Sequence, residues 1–106
     1  MGVSVVERVR ELSHYLIAEI EITDRAGYAN YEAGFADVFM KFEGKMLSVD
    51  EQPTVLEGEW ACTRTVLIEF PNEEAALAWY RSDEYQALAR HRFAASTANV
   101  IMVKGR

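Results

Sequence analysis

With 106 residues, 50% of them apolar, the chain is long enough to bury roughly 65% of its unfolded surface in one core. A formal charge of -6 without a lysine- or arginine-rich run repels phosphate backbones, which argues against nucleic acid as a partner. Its single cysteine, Cys62, excludes an internal disulfide and every Cys-pair zinc site, and no apolar run approaches the ~20 residues of a membrane helix.

Residues 1–13 read as an N-terminal extension. Ser4-Val-Val-Glu7 there is a capping box followed by Val9 and Leu12 at helical spacing, so a short helix that docks and a frayed tail are both open readings. Glu7, Arg8, Arg10 and Glu11 stand where a signal peptide needs an apolar stretch, and Val6 breaks the myristoylation pattern. A soluble cytoplasmic protein is expected.

Tyr15 to Ile22 alternates as a first strand, with Leu16, Ala18, Ile20 and Ile22 on a wholly apolar face. Thr23-Asp24 caps a helix in which Tyr28, Tyr31, Phe35, Val38 and Phe42 recur at steps of three and four, a stripe expected to be core. Gly44 is expected to end that helix. Lys45 to Val49 then makes a short edge strand, and Asp50 to Trp60 a loop or loose hairpin arm. Arg64 to Phe70 is the third strand, stopped by Pro71, which has no N–H for a ladder. Asn72 caps the next helix with Glu73 and Glu74 in its first turn, where negative charge suits the dipole. Ser82 recaps it at Tyr80, and Tyr85, Leu88, Ala89 and Phe93 carry an apolar side on to about Ala94. Asn99 to Val103 closes as a last strand.

The order βαββαβ over residues 14–106 predicts a single α+β, ferredoxin-like domain: an antiparallel sheet with two helices on one face. The first and third strands are expected side by side at its centre, and parallel. The other sheet face then carries Tyr15, Ile17, Thr65 and Leu67, an apolar patch of the kind that marks an interface. A homodimer stacking two such faces is the expected partner arrangement.

Glu19 and Glu69 are the acid/base candidates, because parallel neighbours would bring both carboxylates together on that face. Solvation at the rim, or pairing with Lys45, Lys104 or a second subunit, competes with that role. Tyr15, Trp60 and Arg64 are the ligand-binding candidates: arginine holds a carboxylate and tryptophan stacks on a ring. Pairing of Arg64 with Glu57 or Glu59, with Trp60 capping the core, is the structural alternative. His14 and His91 lack metal-ligand spacing, and His91-Arg92 near a helix end suits the dipole. No phosphate loop or Ser/His/Asp signature occurs, so neither metal nor organic cofactor is expected.

Four segments in order, Tyr15-Leu-Ile-Ala-Glu-Ile-Glu-Ile-Thr-Asp24, Leu56-Glu-Gly-Glu-Trp60, Arg64-Thr-Val-Leu-Ile-Glu-Phe-Pro71 and Ala75-Ala-Leu-Ala-Trp-Tyr-Arg-Ser-Asp-Glu-Tyr85, resemble the domain of unknown function family 1330. Arg25 and Asp83 depart from the prolines expected at first helical positions, yet both suit a helix start. The resemblance implies the dimeric α+β barrel superfamily, similar in fold to cofactor-independent monooxygenases, haem-degrading enzymes and small isomerases. It transfers no catalytic residue. The expected function is a cofactor-independent enzyme acting by acid/base chemistry on a small aromatic or carboxylated molecule. A non-catalytic ligand-binding or interaction dimer is the alternative.

Overall fold

The computed structural model describes residues 12–60 and 63–106. The extension up to residue 11, with its capping box, and Cys62 lie outside the described residues. Strand β1 (His14–Ile22) leads through helix α1 (Arg25–Phe39) to β2 (Lys45–Asp50) and β3 (Arg64–Phe70). Helices α2 (Glu73–Tyr80) and α3 (Asp83–Ala95) follow, and β4 (Ser96–Lys104) ends the order. The sheet order is β2-β3-β1-β4 with every pairing antiparallel.

That pairing corrects one expectation. The first and third strands are central neighbours, as the pattern predicts, but they run antiparallel, with Tyr15 opposite Glu69 and Glu19 opposite Thr65. A strand threaded between the two ends of a βαβ crossover enters from a hairpin, and a hairpin reverses direction.

The local signals act as chemistry dictates. Asp24 accepts a hydrogen bond from the Gly27 amide, Asn72 from Ala75 and Ser82 from Tyr85, so each helix starts on a side-chain cap. Helix α1 ends at Phe39, with Met40 as its cap, earlier than Gly44. Gly44 serves space instead. A Cβ there would stand 2.5 Å from the Phe39 ring and 2.8 Å from the Phe70 ring. In β4 the strand begins directly where α3 stops and runs on to Lys104, so that three residues before Asn99 and one after Val103 add to the pairing with β1.

The core lies between the sheet and the helices. Leu16, Ile20, Ile68 and Phe70 from the central strands pack with Tyr28, Tyr31, Ala76, Trp79, Tyr85 and Ala89 from the helices. Trp79 is the hub, with Phe35, Phe39, Phe70, Tyr80 and Tyr85 around its ring. Phe70 and Trp79 are buried as their phases predict, while Phe35 is partly buried against them. On the opposite face Ile17 stands between Leu67 and Ile101, with no helix of the described residues over them.

Candidate functional site

A cavity of about 230 Å³ opens between the helix layer and the sheet, and three elements bring its polar groups together. Helix α1 supplies Tyr28, Tyr31 and Glu32, one turn of which the first two sit on the core side. Helix α3 supplies Tyr85 and Arg92, seven residues apart and therefore on one helical stripe. Arg64, the first residue of β3, closes the edge. The remaining wall is apolar and aromatic, with Phe35 and Trp79 prominent.

The Tyr31 and Tyr85 hydroxyls meet at 2.7 Å in the buried interior, and Arg92 Nη2 donates to the Tyr85 oxygen at 3.4 Å. Burial, then the adjacent Tyr85 hydroxyl, pushes the Tyr31 hydroxyl far above its ordinary value. Burial also raises Tyr28, against the opposing pull of Arg64. Both phenols therefore stay protonated at neutral pH.

The two arginines differ in their surroundings. Arg64 meets Glu32 at 2.7 Å and Glu51 at 2.9 Å, and Glu51 also accepts from Arg25 at 3.0 Å. The hydrogen bonds from Arg25 and Arg64 hold the Glu51 carboxyl below the usual carboxylate range. This cluster ties the start of α1 and the end of β2 to the start of β3 beside the cavity. Arg92 is only 4% exposed, lies over the Tyr31 ring at 5.7 Å, and has no carboxylate partner among the described residues. Trp79, also in the wall, carries an indole N–H with no hydrogen-bond partner among the described residues.

Of the catalytic and ligand-binding candidates read from the sequence, the structure brings only Arg64 to this cavity. Its acidic partners are Glu32 and Glu51, neither of the pair expected. Glu19 and Glu69 are not brought together: the antiparallel register sets them four positions, about 13 Å, apart. Each has its own neutral partner on the helix-free face, Glu19 accepting from Asn99 at 3.3 Å and Glu69 from the Tyr15 hydroxyl at 3.2 Å. Trp60 donates its indole N–H to Thr65 at 2.9 Å, on the sheet side opposite to Arg64. The aromatic stripe of α1 is core, as its spacing predicts, yet Tyr28, Tyr31 and Phe35 are cavity wall as well.

Sequence reasoning missed Arg92. Hydropathy favours Phe93 for the inward stripe, but Phe93 is 52% exposed and Arg92 is buried. The signal was the helical phase, since Tyr85, Ala89 and Arg92 recur at steps of four and three. Among the described residues no His, Cys, Asp or Glu group is placed to hold a metal ion.

The family model of the domain of unknown function DUF1330 matches residues 13–106. The chain belongs to the DUF1330 family. No curated protein matches it. Among solved structures, this DUF1330 chain is similar to a protein of unknown function from Rhodopseudomonas palustris, at 19% identity and a TM-score of 0.75 over 97% of this chain and 89% of that one. It is also similar to a cofactor-independent oxygenase from Streptomyces nogalater, at 15% identity and a TM-score of 0.60 over 91% and 94%. A candidate antibiotic biosynthesis monooxygenase from Caulobacter crescentus matches at 14% identity and a TM-score of 0.60 over 97% and 98%. At such identities the likeness is one of fold. The DUF1330 chain shares with these proteins a ferredoxin-like α+β architecture.

Proposed function

We propose that the cavity between the helices and the sheet is a small-molecule site. The protein would then be a cofactor-independent enzyme that acts on a small aromatic or carboxylated molecule by acid/base chemistry in the cytoplasm. One observation carries this reading: a buried hydrogen-bonded chain linking Arg92, Tyr85 and Tyr31 stands in the wall of a largely apolar cavity. Neutral phenols backed by a guanidinium can donate to an oxygen on which negative charge develops, such as that of an enolising carbonyl. The fold shared with a cofactor-independent oxygenase supports the same class of chemistry. A homodimer through the helix-free face, over Ile17, Leu67 and Ile101, completes the proposal. Within it Tyr15, Glu19 and Glu69 would line the space between the stacked sheets, with Trp60 at its edge.

The test is a thermal-shift screen of small aromatic acids and phenols on the intact chain and on Ala18→Leu, which fills the cavity from its sheet wall. Ligands are expected to raise the melting temperature of the natural chain and to lose that effect in the filled variant. A shift that survives Ala18→Leu, or the absence of any shift across the screen, would overturn the site.

A further inference from the structure

We infer that the cavity takes a single-ring aromatic monocarboxylate, its anionic end held by Arg92 and its ring against the Tyr31, Phe35 and Trp79 wall. This rests on the cavity being the ligand site, and it assigns the ligand's charge and size from the charges left unbalanced inside the protein. Three charged side chains line the cavity, Glu32, Arg64 and Arg92. Arg64 is answered by Glu32 at 2.7 Å and by Glu51 at 2.9 Å. Arg92 is answered by no carboxylate among the described residues, although it is 4% exposed in a chain of net charge -6.

A guanidinium carries five N–H donors and cannot shed its charge, so burial without a counter-ion is costly. What the described residues offer it is neutral: a long hydrogen bond to Tyr85 at 3.4 Å, an interaction with the Tyr31 hydroxyl, the faces of Tyr31 and Phe93 at 5.7 and 5.0 Å, and the C-terminal turn of α3. The Tyr31 hydroxyl beside it supplies no negative charge, because burial keeps it protonated. No described residue supplies the balancing charge, and an anionic ligand brings it. A carboxylate is the anion whose two oxygens match the planar fork of arginine, and the aromatic wall favours a flat apolar body behind it. The volume of about 230 Å³ lies below the ~300–1,000 Å³ of sites for drug-sized molecules, which limits that body to one ring.

The experiment is isothermal titration of the full chain with benzoate, benzamide and acetate. Benzoate is expected to bind roughly ten- to hundredfold tighter than benzamide, the difference between a charge-assisted and a neutral hydrogen bond. Arg92→Met should erase that preference while leaving benzamide binding in place. Should Arg92→Met fail to fold, the comparison of benzoate with benzamide on the natural chain decides the matter alone. Equal affinities for the two, or a preference for benzoate that survives in Arg92→Met, would overturn the charge assignment and leave the cavity reading standing. Acetate binding as tightly as benzoate would overturn the ring. Absence of binding by both ring compounds would overturn the inference and the cavity site together.

Discussion

The Tyr31–Tyr85 hydroxyl pair sets how the core responds to alkali. In the unfolded chain Tyr31 ionises near its ordinary value of 10, whereas burial and the Tyr85 hydroxyl hold it protonated in the fold. Above that pH the unfolded state binds fewer protons than the native state, so stability is complete below about 10 and falls as pH rises further. Tyr31→Phe removes one participant. It is expected to cost about 1 kcal/mol at pH 8 through the lost hydrogen bond and to flatten the decline between about pH 9 and 11. Urea midpoints of the two proteins across that range check both parts, and parallel declines would show that Tyr31 is not the group responsible. Arg92 makes the complementary point. Its burial is a matter of helical phase, and the phase prevails over hydropathy because the helix is fixed by its caps and by Tyr85 and Ala89 on the same stripe.

At the scale of elements, Ser82 links the helix layer to the candidate site. It breaks α2 from α3 with two hydrogen bonds, its hydroxyl donating to the Trp79 carbonyl at 2.8 Å and accepting from the Tyr85 amide at 3.0 Å. Those bonds fix the backbone of the two aromatics whose rings stand 4.2 Å apart in the cavity wall. Ser82→Ala is expected to cost about 1 kcal/mol and Ser82→Asp, which retains a cap, markedly less. The alanine variant should also weaken whatever ligand the cavity binds, because Tyr85 loses the anchor of its first turn. Denaturation and ligand titration on both variants test this, and an alanine variant as stable as the natural chain would refute the capping role.

At the scale of the whole molecule, the described residues form a two-layer fold with one sheet face left open. Ile17, Leu67 and Ile101 form a row across three adjacent strands there, and Ile101 is 55% exposed. Contiguous apolar surface of this kind is commonly an interface. Light scattering is expected to find a dimer for the natural chain and a monomer or aggregate for the double variant Ile17→Asp with Leu67→Asp. An intact, soluble dimer of that variant would refute the proposed face.

How much of this was legible in the sequence follows from how local each cause is. Period-two alternation placed the strands, with Arg64–Phe70 exact, and Asp24, Asn72, Ser82 and Pro71 marked the helix starts and the strand stop, because caps and ladders act within a few residues. The pattern of four segments also pointed to the family that the chain belongs to. Strand direction was not local. It decided that Glu19 and Glu69 stand four positions apart along the sheet, each with a neutral partner, and so dissolved the carboxylate pair. The cavity was decided still further from the sequence. It is the volume left where α1, α3 and the sheet fail to close on one another, and it gathers Tyr31, Tyr85, Arg64 and Arg92 from positions up to 61 residues apart. The sequence by itself determined the elements, their order and the fold class, since these depend on local propensity and periodicity. Only the tertiary structure decided which polar groups share a space, because that depends on how the layers pack.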